Sequence, residues 1–109
     1  MPYGDQMIPE YIQKRLQRNW GEKADSMDCK VECRLYDTSS DSEWYLYAQN
    51  PNEQDIVLCI ENTDTLEAAA IISLDELQNY KRNFLQLDDE FRPRNAAVVY
   101  EELRKWKES

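Results

Sequence analysis

The segment "MDCKVECRLYD", residues 27–37, alternates without a break, with Cys29, Val31, Cys33 and Leu35 on one side and Asp28, Lys30, Glu32 and Arg34 on the other. A period of two predicts a half-buried strand. "EWYLYAQ" (43–49) and "DIVLCIE" (55–61) follow on either side of the turn signal "NPNE", both rich in aromatic and β-branched residues. "LEAAAIISL" (66–74) mixes helix-favouring alanines with strand-favouring Ile71 and Ile72; its short length and Ser73 decide for a fourth strand. The links between these segments are too short for crossover helices, so successive strands must run antiparallel as a meander.

Helical patterns flank the strands. In "IPEYIQKRLQRNWG" (8–21), Pro9 suits a helix start, Ile8, Tyr11, Ile12, Leu16 and Trp20 recur at helical spacing, and Gly21 suits the stop. Ser73 and Glu76 stand at capping-box spacing before a short helix from Leu74 to about Tyr80. "FLQLDDEFRP" (84–93) reads as an irregular or extended link. "NAAVVYEELRKWK" (95–107) predicts a closing helix capped by Asn95, with Ala96, Val99, Leu103 and Trp106 along its apolar stripe. The expectation is a single α+β domain over residues 1–109: a four-stranded antiparallel meander with an N-terminal helix, a short helix and a C-terminal helix packed on one face.

The net charge of −9 is concentrated in the strands. From Leu35 to Asn79 there are ten acids (Asp37, Asp41, Glu43, Glu53, Asp55, Glu61, Asp64, Glu67, Asp75, Glu76) and no Lys or Arg. Such a field repels phosphate backbones and anionic membranes and draws in cationic surfaces. It argues against direct nucleic-acid binding and for a basic protein partner. No apolar stretch reaches membrane-spanning length and no secretory leader pattern is read, which predicts a cytoplasmic protein. Cys29 and Cys33 on one strand lie about 13 Å apart, beyond disulfide reach, and with Cys59 the count is odd, so three free thiols are expected.

Much chemistry is excluded by what is missing. The chain has no histidine, no CxxC pair, and no glycine after Gly21, which argues against the usual catalytic base, an ordinary zinc or iron–sulfur site, and a phosphate-cradling loop. "DTSSDSE" clusters carboxylates without the glycine and ligand spacing of a calcium loop. "DDE" at 88–90 offers paired carboxylates with nothing to raise a pKa. The expectation is no catalytic residue, no metal and no cofactor.

Two candidate binding surfaces remain. In a meander the first and third turns share one end of the sheet, which should gather Asp37, Asp41, Glu43, Glu61, Asp64 and Glu67 there and leave Glu53 and Asp55 at the other. Were helices to cover only one face, Tyr45 and Tyr47 would offer an aromatic surface on the other.

The succession of Trp44, the turn at Pro51, the Ser73–Leu74–Glu76–Leu77 segment, and Asp88 with Phe91 three residues later resembles the domain-of-unknown-function family 2958, small proteins of bacterial plasmids and integrative elements. Ala70 and Leu87 stand where that family carries glycine and arginine, so an arginine-dependent role does not carry over. The resemblance implies a mobile-element protein whose relatives are often encoded beside antirestriction genes, and no established activity. Joined to the charge pattern, it sets the expectation of a non-enzymatic inhibitor of anti-CRISPR or antirestriction type, its carboxylates acting as a nucleic-acid mimic against a basic host defence protein. The alternative is a cytoplasmic protein–protein interaction module with no defence role, using the aromatic sheet face or the terminal helix.

Overall fold

The structure, a computed structural model, describes residues 7–108; the first six residues and Ser109 lie outside that description. Helix α1 (Glu10–Asn19) starts directly after Pro9, whose carbonyl accepts the amides of Ile12 and Gln13 at 3.0 Å. Ile12 and Leu16, one helical turn apart, form its buried stripe, which Ile8 extends just ahead of the helix. Gly21, at φ +118°, turns the chain into the short α2 (Glu22–Asp25), which the sequence pattern did not reveal.

The sheet follows. β1 (Lys30–Val31), β2 (Cys33–Asp37), β3 (Glu43–Gln49), β4 (Ile56–Asn62) and β5 (Leu66–Ser73) lead into α3 (Leu74–Lys81). A single 3-10 turn precedes β6 (Leu85–Leu87), and β7 (Arg94–Asn95) leads into α4 (Ala96–Glu108). The caps are as the sequence indicates: Ser73 Oγ accepts the Glu76 amide at 3.2 Å and Asn95 Oδ1 accepts the Val98 amide at 3.1 Å.

The α+β class holds, and its details are corrected in three places. The main sheet has five strands, ordered β5-β4-β3-β2-β6 and antiparallel throughout, because the expected link "FLQLDD" contributes β6, paired with β2 from Leu35↔Leu87 to Asp37↔Leu85. The first expected strand is two: β1 leaves the main sheet to pair with β7, so Val31 packs on one side of the sheet while Cys33 and Leu35 pack on the other. Helices cover both faces, not one.

The third correction has a direct cause in β3 and β4, whose residues are buried on alternate faces almost without interruption. Strands that are apolar on both sides need cover on both sides. One core joins Ile8, just ahead of α1, Ile12 and Leu16 of α1 and Leu74 of α3 to Cys33, Leu35, Trp44, Leu46, Val57 and Cys59. The opposite core joins Ala24 of α2 and Ala96 and Val99 of α4 to Tyr45, Tyr47, Leu58 and Ile60. A buried amide network ties α1 to β3: Gln17 Nε2 donates to Gln49 Oε1 at 2.9 Å, and Gln49 Nε2 donates to Gln54 O at 2.7 Å and Gln13 Oε1 at 3.2 Å. Among the described residues no helix is long and apolar enough to cross a membrane.

Candidate functional site

The β2–β3 and β4–β5 turns lie at one end of the sheet, as Glu43↔Asn62 and Asn62↔Leu66 are cross-strand partners. The six acids of that end are not equivalent. Asp37 is 2 % exposed and organises its own turn: Oδ1 accepts the Ser39 amide at 2.8 Å and its hydroxyl at 2.7 Å, Oδ2 accepts the Ser40 hydroxyl at 3.0 Å, and Lys81 Nζ lies 2.9 Å away. The Lys81 ammonium, with the Ser39 donors, holds this carboxyl well below the usual range.

Glu43 is equally occupied. Its Oε1 accepts Arg34 Nε at 2.7 Å and the Tyr45 hydroxyl at 2.8 Å, and its Oε2 accepts Asn62 Nδ2 at 2.6 Å. Arg34 also reaches Asp88 Oδ2 at 3.0 Å and lies over the Tyr36 ring. Glu61 accepts the Trp44 indole N–H at 2.8 Å and faces Glu67 directly across the strands. Asp37 and Glu43 are thus internal anchors, whereas Asp41, Asp64 and Glu67 stand exposed. Glu53, at the opposite end, is exposed too, and Asp55 there binds the Ser73 hydroxyl at 2.6 Å and the Asp75 amide at 2.8 Å.

The expected aromatic surface does not exist. Tyr45 is 8 % exposed and Tyr47 is fully buried, both in the core closed by α2 and α4, and burial pushes each phenol up to about 12. Exposed rings lie elsewhere, at Tyr11 on α1, Tyr80 on α3, Phe84 before β6 and Trp106 on α4. Sequence spacing put Trp106 on the docking stripe of α4, yet burial fades along it, from complete at Val99 to partial at Leu103 to 74 % exposure at Trp106.

Two open hollows flank the acidic end and share Ser42, Thr63 and Asp64. The one on the α3 side, about 580 Å³, sets Glu61 and Glu76 beside Trp44, Ile71 and Tyr80. The one on the α4 side, about 510 Å³, includes Arg34, Asp41, Glu43, Asn62 and Trp106. Lys107 donates to Thr63 O at 2.9 Å, so α4, together with Lys81 of α3, brings the cations that the turns themselves lack. Among the described residues no group of three or more Cys, Asp or Glu is placed to hold a metal ion. The chemistry on offer is acceptance of cationic donors, with aromatic faces beside the acceptors.

The chain matches no family model, no curated protein and no solved structure, so the resemblance drawn from its sequence pattern rests on that pattern alone.

Proposed function

We propose that this protein is a non-enzymatic binding protein that covers a basic, nucleic-acid-binding surface of a partner protein with the acidic end of its sheet. The observation that carries the reading is the division of labour among the acids. Asp37 and Glu43 fix the turns through internal cations and donors, and Asp41, Asp64 and Glu67 are thereby held on a rigid frame facing solvent. Carboxylates so fixed accept Lys and Arg donors that otherwise hold phosphate, and a charge of −9 steers the encounter.

The resemblance to mobile-element proteins directs the partner toward host defence complexes of the restriction or CRISPR type. Burial of Tyr45 and Tyr47 removes the sheet face from the rival interaction-module reading and leaves it only the outer side of α4. The test is capture of partners from a bacterial lysate with the wild-type protein and with a variant carrying Asp41→Asn, Asp64→Asn and Glu67→Gln. Nucleic-acid-binding proteins retained by the first and lost by the second support the reading; equal retention by both refutes it.

A further inference from the structure

One hollow of this acidic molecule carries the opposite charge. It is open, about 490 Å³, and lined by Arg15 and Arg18 of α1, Lys23 of α2 and Lys30 of β1, with Glu32 as its one acid. Four bases to one acid reverse the balance of a chain with 22 acids and 13 bases. Elsewhere Lys14, Arg34, Lys81, Arg94 and Arg104 each pair with a carboxylate. Among the described residues the four cations of the hollow have no ion pair; Arg15 alone has a neighbour of another kind, the Tyr11 ring at 5.4 Å. Like charges gathered in this way repel one another, and an anion set between them turns repulsion into attraction.

The backbone beneath these side chains is fixed. Asn19, which ends α1 and also lines the hollow, donates through Nδ2 to Lys30 O at 3.2 Å and to Tyr47 O at 3.0 Å, fastening the helix to β1 and β3. Gly21 turns the chain into α2, which the fully buried Ala24 seats, and Lys30 is paired across to Asn95 of β7. The cations therefore stand on three elements held to one another, with their charged ends in solvent. Tyr47 lies four residues along β3 from Glu43, roughly 13 Å from the acidic end and beyond the screening length of about 8 Å, so the acids there do not cancel this field.

The lining selects the kind of anion. Arg15 and Arg18, three residues apart, are neighbours on the helix surface, and guanidinium forks take phosphate oxygens in pairs while Lys23 and Lys30 add compact charges. Four cations less one carboxylate leave three positive charges, which two linked phosphates, at roughly three negative charges near neutral pH, match better than one. No lining residue is aromatic and only Pro93 is apolar, so nothing there stacks a nucleobase. We infer that the hollow between α1, α2 and β1 is a binding site for a base-free pair of linked phosphates, of the pyrophosphate or short polyphosphate class. This site is separate from the acidic end, and neither reading rests on the other.

The experiment titrates the full-length protein with pyrophosphate by calorimetry, without divalent cations and at constant ionic strength, and repeats the titration with sulfate, orthophosphate and a nucleoside diphosphate. The same series is run on an Arg18→Gln, Lys30→Gln double variant and on Arg92→Gln, an exposed cation outside the hollow. All three side chains are exposed, so both variants keep the fold. Expected are saturable binding of one pyrophosphate per chain, weaker binding of sulfate and orthophosphate, a loss of about tenfold or more in the double variant, and no change in Arg92→Gln. No saturable binding, equal affinity for sulfate, full affinity in the double variant, or an equal loss in Arg92→Gln would overturn the site. A nucleoside diphosphate bound clearly more tightly than pyrophosphate would overturn the base-free assignment. Self-association that the double variant abolishes, without pyrophosphate binding, would overturn it too, by giving the hollow to the acidic end of a second copy.

Discussion

Lys81, on the last turn of α3, places its ammonium 2.9 Å from the buried carboxylate of Asp37 at the end of β2 and so pins a helix to the hairpin that carries the exposed Asp41. The pair couples fold stability to pH. Asp37 has a depressed pKa in the folded state, so its contribution is fully present above the ordinary carboxylate value of about 3.9 and is lost as pH falls toward the folded value. Urea midpoints should drop on acidification below about pH 4. In Asp37→Asn the midpoint at neutral pH should be lower and this part of the acid dependence should flatten; an acid profile identical to wild type would show that the pair does not govern it.

The amide network between α1 and β3 should be as important as an apolar contact. Replacing Gln49, which is fully buried, by Leu strands Gln13 and Gln17 on the helix and the Gln54 carbonyl without their partner. Leaving such groups unmatched predicts a loss of about 2 kcal/mol or more in chemical denaturation. A Gln49→Leu protein as stable as wild type would mean that apolar packing alone seats α1.

Thiol chemistry should resolve the three cysteines. All are free; Cys33 and Cys59 are buried on opposite sides of Leu46, two strand spacings or roughly 10 Å apart, too far for a disulfide, and Cys29 is half-buried. Burial pushes the Cys33 thiol up to about 12 and raises Cys59 well above its ordinary value. A disulfide reagent at neutral pH should modify Cys29 first and the other two only on unfolding. Equal rates for all three in the native protein would contradict the burial.

Along α4 the stabilising contacts should stop before the helix does. Val99→Ala, emptying a fully buried position, should cost about 1–2 kcal/mol, whereas Trp106→Ala should change stability by less than about 0.5 kcal/mol. Thermal melts of the two variants decide this. A large loss in Trp106→Ala would restore the docking role that spacing alone assigns to it.

What could be read from the sequence was what depends on local order. The strand segments, the capping residues Ser73 and Asn95, the stop at Gly21 and the shared end of the first and third turns all follow from spacing and turn chemistry. What could not be read depends on distant partners. β6 has only three residues and exists because Leu85 and Leu87 meet Asp37 and Leu35 across the sheet. The departure of β1 depends on Arg94 and Asn95 far down the chain. The acids looked alike in sequence, and only the arrival of Arg34, Asn62 and Lys81 separates Asp37 and Glu43, which hold the fold, from Asp41, Asp64 and Glu67, which face outward. The double-sided burial of β3 was legible in "WYLYA", since a strand apolar on both faces implies helices on both, and the one-face expectation overlooked it.

The central claim is that the exposed acids of this end bind a cationic surface in place of nucleic acid. It is tested most directly by measuring, over a series of salt concentrations, how strongly the captured partner binds the wild-type protein and the Asp41→Asn, Asp64→Asn, Glu67→Gln variant, with a nucleic-acid competitor present. Wild-type binding that falls steeply with salt, excludes the nucleic acid and is largely lost in the variant is the predicted result. Binding that is insensitive to salt, tolerates nucleic acid on the same partner, or survives in the variant at full strength would contradict it.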